Sequence, residues 1–326
     1  MRRRDFISIL GGAVVSWPLA ARAQQPAKPL IGFLHGASLE TRRTEFTAFH
    51  RGLVETSYVE GLNVTVEYRW AEGIYDRLPA LAADLVDRRV SVIVAFGTAA
   101  ARVAKTATAT IPVVFIVGGD PVALGLVASL RKPGANITGV TPLNDDLAPK
   151  LLELLHELVP DTAIVGYLVN PKNATSENLS RQAHLAEGTI GKRVQILNAS
   201  SEQDFEPAFA ALDQLGAGGL CVQGDTFFNG RRGQLIALAA QHSIPTVYAF
   251  RDYVVAGGLM SYGTSLGDAY RQVGVYAGRI LNGEKPTDLP VHQSVKVELI
   301  INLKTAKALG LTFPQSLQGR ADEVIE

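Results

Sequence analysis

Polar residues follow several of the buried strands that the sequence predicts, at the point where each strand ends. Each of these apolar runs stops at small residues next to a polar one. The positions are His35-Gly36-Ala37-Ser38, Gly97-Thr98, Gly119-Asp120, Gly224-Asp225, and Asn170 directly after Val169. Backbone N–H groups at the starts of the following helices favour a carboxylate or another anion. Asp120 or Asp225 can neutralise an amine, so together these positions suit a zwitterion such as an amino acid.

Each position taken alone has a simpler explanation, because Ser, Thr, Asp and Asn cap helices in any α/β protein. The stronger signal is the whole set at one edge of a sheet, with aromatic residues at strand ends as walls for a planar or apolar ligand. Replacing Asp120 or Asp225 by Ala is expected to weaken ligand-induced thermal stabilisation without unfolding the protein. The predicted ligand-binding residues are His35, Ser38, Gly97, Thr98, Asp120, Asn170, Asp225, Tyr248 and Tyr262.

The residues give little support to covalent or metal chemistry. The sequence contains no Gly-x-x-x-x-Gly-Lys-Ser/Thr phosphate loop and no Gly-x-Ser-x-Gly elbow. None of the six histidines stands two, three or four residues from another, so there is no local metal motif. Cys221 is the only cysteine, and its apolar neighbours indicate a buried core thiol. We predict no catalytic residue, no metal ion and no cofactor.

Composition bounds the class of protein and its partners. The chain has 326 residues, of which 47% are hydrophobic, which is ample for two α/β lobes. Aromatic residues make up only 7%, so no aromatic platform for nucleic acid is evident. The formal net charge is zero, but the first 23 residues are strongly basic, which leaves the remainder slightly acidic. A slightly acidic body argues against nucleic acid or an anionic membrane as partner.

The first 23 residues have the order of segments of an export signal. A basic start precedes an apolar middle, and Ala21-Arg22-Ala23 has the form of a cleavage site. Arg3-Arg4-Asp5-Phe6-Ile7 also looks like a twin-arginine signal. We predict cleavage near Gln24 and a periplasmic protein without a lipid anchor, because no cysteine lies near the site. The alternative, an amphipathic helix at the start of a cytosolic protein, fits the order of segments less well.

Strands and helices alternate along the chain, and the stretch 111–140 shows how they place the polar residues. Ile111–Val117 reads as a buried strand, and Val122–Leu130 has the spacing of a helix with Pro121 at its first position. Asp120 then lies between the carboxyl end of a strand and the start of a helix, where open α/β sheets bind ligands. Residues 141–149 interrupt the alternation, which then resumes. The pattern predicts an α/β fold with mostly parallel sheets flanked by helices in two lobes.

Several motifs resemble one known family. They are Gly119-Asp120-Pro121-Val122, Gly125-Leu126-Val127, the stretch Pro133-Gly134-Ala135-Asn136-Ile137-Thr138-Gly139-Val140, the end Ile301–Leu311, and the leader Trp17–Gln25. With them the chain resembles the ABC-transporter substrate-binding family that includes tryptophan-binding periplasmic proteins, over nearly its whole length. It departs from the family at Ala135 and Ser57, two turn positions where glycine is usual.

The resemblance implies a two-lobed type I periplasmic-binding fold with the ligand cleft between the lobes. It implies that residues 28–143 and about 263–284 form one lobe, and about 144–262 and about 285–326 the other. It places Ser38, Gly97, Thr98, Asp120, Asn170 and Asp225 on loops that face the cleft. The ligand itself is not carried over from the family; an amino acid or an aromatic or carboxylate compound is expected.

The expected function is that of an exported, monomeric solute-binding protein of an ABC importer. Closure of the lobes would capture a small organic ligand for delivery to a permease in the inner membrane. One alternative is a periplasmic sensor subunit that presents the same closed form to a signalling receptor. A second is an exported α/β enzyme, which would need a nucleophile–base pair or a bound metal in the cleft.

Overall fold

A computed structural model of the protein describes residues 28–142, 147–294 and 297–326. The predicted export signal lies outside these residues. The strands in chain order are β1 (Leu30–His35), β2 (Thr65–Trp70), β3 (Val92–Phe96), β4 (Val113–Ile116), β5 (Ile137–Thr141), β6 (Ile164–Val169), β7 (Arg193–Asn198), β8 (Leu220–Val222), β9 (Thr246–Tyr248), β10 (Met260–Thr264), β11 (His292–Gln293), β12 (Val297–Asn302) and β13 (Glu323–Ile325).

Helices follow most of these strands. In chain order they are α1 (Arg43–Glu55), α2 (Leu78–Asp87), α3 (Thr98–Ala107), α4 (Ala148–Leu158), α5 (Ser176–Ile190), α6 (Phe205–Leu215), α7 (Thr226–Gly230), α8 (Arg232–Gln241), α9 (Arg251–Val255), α10 (Leu266–Leu281), α11 (Leu303–Ala308) and α12 (Gln315–Gln318). Short 3-10 turns precede α1 and α2, at Glu40–Arg42 and Tyr75–Arg77. None of the helices described is both long and apolar enough to cross a membrane.

The first sheet has the order β11-β5-β4-β3-β1-β2, and all its neighbouring strands are parallel. Strands β1, β3 and β4 of this sheet are apolar on both faces because helices cover both. Phe33 packs into a core with α1 and α10, whereas its neighbour Leu34 packs into a core with α2 and α3. Successive side chains of a strand point to opposite faces, which explains the continuous apolar run of β1.

The second sheet has the order β13-β12-β10-β9-β8-β6-β7. Its strands are parallel except that β12 runs antiparallel to β10. Cys221 lies on the inner strand β8 and is completely buried, and burial raises the pKa of its thiol. The predicted core role of this cysteine therefore agrees with its position.

Helix α10 returns the chain to the first sheet after β10 has joined the second. It packs very closely on α1, because two glycines remove side chains from the contact. A Cβ atom added at Gly52 would lie 1.9 Å from the carbonyl oxygen of Arg271, and one at Gly274 would lie 2.2 Å from that of Phe49. Substitution of either glycine would therefore push the two helices apart.

Two expectations about the chain path differ from the structure. Val122–Leu130 forms turns and no helix. The N–H groups of Leu126 and Val127 both bond to the carbonyl of Pro121, at 2.8 and 3.3 Å, and Gly125 has φ 67°, so the chain leaves the helical path after one turn.

The second difference concerns the segment after α10. Residues 286–293, expected in the second lobe, still pack on the first sheet. His292 pairs with Val140 of β5, and the Thr138 hydroxyl donates to the carbonyl of Leu289 at 2.7 Å. The chain thus rejoins the second sheet only at β12. The division of the chain into two independent lobes remains a prediction.

Candidate functional site

In each sheet there is one pair of neighbouring strands from which the chain continues to opposite sides of the sheet. In the first sheet this point of divergence lies between β1 and β3, and in the second between β6 and β8. Ligands of open α/β sheets bind at the carboxyl ends of the strands beside such a point. His35 ends β1 and Gly97-Thr98 follow β3, whereas Asn170 follows β6 and Gly224-Asp225 follow β8.

A cavity lies between these strand ends of the two sheets. It encloses about 550 Å³ of space, a figure that includes the part open to solvent. Its lining comes from both sheets and from the segments that connect them: His35, Arg42, Gly97, Thr98, Ile116, Gly118, Pro142, Asn173, Gly224, Asp225, Thr226, Phe250, Leu266 and Tyr270.

The Asp225 carboxylate, in the cavity wall, accepts hydrogen bonds from several donors. Its Oδ1 accepts from the backbone N–H groups of Phe227 and Phe228 at 2.9 and 3.2 Å, so it caps α7 as its sequence position suggests. The side-chain amides of Asn170 and Asn173 also donate to this carboxylate, at 3.2 and 2.9 Å. A buried carboxylate held by this many donors is fixed in orientation.

The two sheets are brought together across the cavity in a closed arrangement. Tyr75, beside the first sheet, donates its hydroxyl proton to Asp225 Oδ2 at 2.9 Å, and burial followed by the charge of Asp225 raises the pKa of this tyrosine well above its usual range. At Gly97, which has φ 95°, an added Cβ would lie 2.6 Å from Thr226 Oγ1. The loops after β3 and β8 therefore touch, with glycine allowing the approach.

The amino end of α3 forms part of the same wall. Gly97 is its N-cap and has no side chain to satisfy the first N–H groups of the helix, and both Gly97 and Thr98 line the cavity. Unsatisfied N–H groups and the positive end of the helix dipole favour a negative group here. The cavity therefore has a carboxylate on the second-sheet side and an anion-favouring helix end on the first-sheet side.

Aromatic rings support the first-sheet side. His35 stacks on Phe96 with ring centroids 5.4 Å apart, and Tyr270 stacks on the same phenyl ring at 4.4 Å. The His35 Nε2 atom lies 2.7 Å from the Tyr270 hydroxyl. Burial, followed by the nearby charge of Arg42, lowers the pKa of His35 well below its usual range. The histidine is therefore neutral and rigidly held.

The structure brings together part of the predicted site. His35, Gly97, Thr98 and Asp225 line the cavity, and Asn170 lies directly behind Asp225. Ser38, Asp120, Tyr248 and Tyr262 do not line it. Asp120 is exposed and accepts from the N–H of Val122 at 2.8 Å, as a local cap does.

The two predicted aromatic walls lie in or on the core of the second sheet. Tyr248 is buried and stacks on Tyr253 with centroids 4.2 Å apart. Tyr262 is half-buried opposite Leu299 of β12. Ser38 is half-buried after the end of β1. Contact of any predicted residue with a ligand remains a prediction.

Several lining residues were missed in the sequence. Thr226 and Asn173 stand one and three residues beyond predicted positions, so a wider window at the strand ends would have included them. Arg42, Phe250, Leu266 and Tyr270 lie at the starts of helices or inside them, where no strand-end pattern marks them. Within residues 28–142, 147–294 and 297–326 no group of three His, Cys, Asp or Glu side chains could hold a metal ion.

Comparison with known proteins identifies relatives of this chain. The family model for "ABC transporter substrate binding protein" matches residues 31–325. A curated tyrosine-binding protein of Clostridioides difficile (strain R20291) is 27% identical over 265 residues, which cover 81% of this chain and 75% of that protein.

Solved structures show the same two-lobed arrangement. A conserved domain protein of Vibrio cholerae has a TM-score of 0.84 at 26% identity, covering 91% of this chain and 99% of that one. A Streptococcus pneumonia protein in complex with L-Trp has a TM-score of 0.83 at 24% identity, covering 92% and 100%. A ligand-free, open substrate-binding protein of Clostridium difficile gives 0.63 at 25% identity, covering 91% and 99%. The predicted type I periplasmic-binding fold is thereby confirmed.

Proposed function

The chain belongs to the family of ABC transporter substrate-binding proteins, and we propose that it captures an amino acid with an aromatic side chain between its two lobes. The observation that carries this proposal is the position of Asp225, a carboxylate in the cavity wall opposite the amino end of α3. A zwitterion has the complementary charges. Its ammonium group would lie at Asp225, and its carboxylate at Gly97 and Thr98.

The rest of the lining favours an aromatic side chain. Ile116, Phe250, Leu266 and Tyr270 contribute apolar surface to the cavity. Apolar and aromatic walls with a few oriented polar groups are typical of sites for small organic ligands. The C. difficile relative named as tyrosine-binding supports the same class of ligand.

The ligand ammonium group must compete with donors that Asp225 already has. The carboxylate offers about four lone-pair positions, and it receives Tyr75, Asn173 and Asn170 besides two backbone N–H groups. A charged donor binds a carboxylate more strongly than a neutral hydroxyl or amide does. We infer that the ammonium group displaces one of the two asparagine amides, so that the hydrogen bond from Tyr75 and the closed arrangement are kept.

Closure of the lobes would allow a permease to distinguish the ligand-bound protein from the free protein. Tyr75 reaches Asp225 only when the lobes are together, so ligand and lobe contacts favour the same state. We propose that the chain is exported through its residues 1–23, acts as a monomer in the periplasm, and delivers the closed complex to a permease in the inner membrane.

Thermal denaturation of the purified protein with each amino acid tests the proposal. A ligand present at a hundred times its Kd should add about 2.7 kcal/mol to the free energy of unfolding, which is a rise of several degrees in Tm. We expect this rise with aromatic amino acids and its absence with the corresponding amines, which lack the carboxylate. No stabilisation by any amino acid would contradict the proposal. Loss of high-affinity uptake of that amino acid in cells lacking the gene tests delivery.

A further inference from the structure

Two side chains of the cavity wall provide hydrogen-bond donors that the carboxylate and ammonium sites do not use. They are Arg42, at the end of the 3-10 turn before α1, and Tyr270 on α10. Both belong to the first-sheet side, both are buried, and both line the cavity. Their orientation can be deduced from their partners.

The direction of the Tyr270 hydroxyl is fixed by His35. The backbone N–H of Ala37 donates to His35 Nδ1 at 2.8 Å, so this nitrogen carries no proton. The neutral ring therefore carries its proton on Nε2, which donates to the Tyr270 oxygen at 2.7 Å. The hydroxyl proton of Tyr270 must point elsewhere, and across the three described ranges of the chain it meets no acceptor. It is available to a ligand in the cavity.

The Nε–H donor of Arg42 is not used by its other contacts. Its Nη1 atom lies 2.7 Å from Glu45 Oε1 and 3.6 Å from Asp252 Oδ2. In the amide orientation that satisfies both groups, Asn229 Oδ1 accepts from Nη1 and Nη2 at 2.5 and 2.7 Å. The Nε atom is buried and has no partner in the part of the chain that the structure describes. An unsatisfied buried N–H of a charged group destabilises the protein, and a ligand oxygen that accepts from it would remove this penalty.

The charges around Arg42 decide what kind of oxygen fits. Glu45 and Asp252 already balance the guanidinium, and burial raises the pKa of Glu45. A further carboxylate would add negative charge beside two acidic side chains. A neutral oxygen accepts the same two hydrogen bonds without this repulsion.

We propose that Arg42 and Tyr270 form a subsite for the phenolic oxygen at the end of the ligand side chain. This inference rests on the proposed function and sharpens it, because it separates tyrosine-like from phenylalanine-like ligands. His35 is a positioning residue, since it acts on the ligand only through the direction of the Tyr270 proton.

Isothermal titration of the purified protein with L-tyrosine and L-phenylalanine tests the subsite. A site built to bond a hydroxyl discriminates strongly against the analogue that lacks it. We expect tyrosine to bind about 10- to 100-fold more tightly than phenylalanine. Tyr270→Phe should lower the affinity for tyrosine about tenfold more than the affinity for phenylalanine. The matched control is Tyr276→Phe on the same helix, because the Tyr276 hydroxyl donates to the carbonyl of Pro290 at 2.8 Å and does not line the cavity.

The outcomes separate the two proposals. Equal affinity of the unmodified protein for the two amino acids overturns the subsite alone, and this result does not depend on the folding of any variant. An equal loss of both affinities in Tyr270→Phe also overturns it, because Tyr270 would then hold the common carboxylate or support the wall. Absence of binding by every amino acid overturns the proposed function and the subsite with it.

Discussion

Asp120 and Asp225 have the same local sequence, a buried strand that ends in Gly-Asp, yet they occupy different environments. Asp225 is buried in the cavity wall, and donors from both sides of the cavity reach it. Asp120 is exposed and caps its own turn through the N–H of Val122. Strand order contributes to the difference, because β8 flanks the point where the connections of its sheet diverge and β4 lies one strand away. After β4 the cavity is lined at Ile116 and Gly118, and Asp120 stands beyond them.

The residue that follows each aspartate adds to this difference. Thr226 begins α7, whose N–H groups bind the Asp225 carboxylate. Pro121 has no N–H group, and the turn that it begins ends at Gly125. Asp225 therefore both caps a helix and faces the cavity, whereas Asp120 caps its own turn and does not line the cavity.

We expect the largest change in ligand affinity from substitution of Asp225, and little change from substitution of Asp120. Asp225→Asn keeps the shape of the side chain but removes its charge, so the ligand ammonium group loses its partner. We expect a loss of about 2–4 kcal/mol of binding free energy, roughly 30- to 1,000-fold in Kd by titration calorimetry. Asp120→Asn should change Kd less than about threefold. A larger loss with Asp120→Asn would mean that strand order does not select the binding residues.

Closure can be tested at a backbone position. Gly97→Ala places a Cβ atom 2.6 Å from Thr226 Oγ1 beside the second sheet, so the approach of the two sides becomes less favourable. We expect about 2 kcal/mol weaker ligand binding, roughly 30-fold. Gly125→Ala is the matched control, because Gly125 also has positive φ but no atom within 4 Å of its added Cβ. Equal effects on Kd would show that backbone strain, and not contact between the lobes, limits binding.

The hydroxyl of Tyr75 provides a smaller test of the same contact. Tyr75→Phe removes the hydrogen bond to Asp225, and the effect on binding should be about 1.5 kcal/mol, roughly tenfold, mainly in the dissociation rate. Tyr58→Phe is the control, since the Tyr58 hydroxyl donates to Asn282 Oδ1 at 3.1 Å and neither residue lines the cavity. Surface plasmon resonance gives both rates. An unchanged dissociation rate in Tyr75→Phe would remove this contact from the account of closure.

The pKa values of two histidines are shifted in opposite directions, so we expect their contributions to stability to depend on pH in opposite ways. The pKa of His35 is lowered, so the unfolded chain takes up a proton below about pH 6.5 that the native ring does not. Its contribution to stability is lost as the pH falls, by at most about 1.4 kcal/mol per pH unit. The pKa of His242 is raised, first by the hydrogen bond with Asp213, so its contribution is present at low pH and lost as the pH rises.

Urea denaturation at pH 7.5 and 5.5 checks these signs. The difference in stability between the unmodified protein and His35→Gln should shrink at pH 5.5, and the difference for His242→Gln should grow. The opposite change for His35→Gln would mean that the buried histidine is charged and that the assigned direction of the Tyr270 proton is wrong.

The sequence predicted the strand ends of the site because strands buried on both faces are continuous apolar runs. His35, Gly97, Thr98 and Asp225 were found in this way, and the fold class followed from the alternation of strands and helices. The order of strands in each sheet was not predicted, although it distinguishes Asp225 from Asp120. Tyr248 was misplaced because its side chain packs in the core of the second sheet, where it stacks on Tyr253, and Phe250 lines the cavity instead.

The local sequence pattern around Arg42 and Tyr270 does not mark either residue as part of the cavity wall. Arg42 lies in a turn whose sequence is rich in charge, and Tyr270 occupies one position of an amphipathic helix. They meet the cavity only because α10 crosses back to the first sheet and packs on α1 through Gly52 and Gly274. Contacts between segments this far apart in the chain depend on the tertiary fold.

A crystal structure of the protein grown with L-tyrosine would test the central claim most directly. We predict that the amino acid lies between the lobes, with its ammonium group about 3 Å from the Asp225 carboxylate and its carboxylate at the amino end of α3. A ligand bound elsewhere, or bound in this cavity without contact to Asp225, would contradict the account.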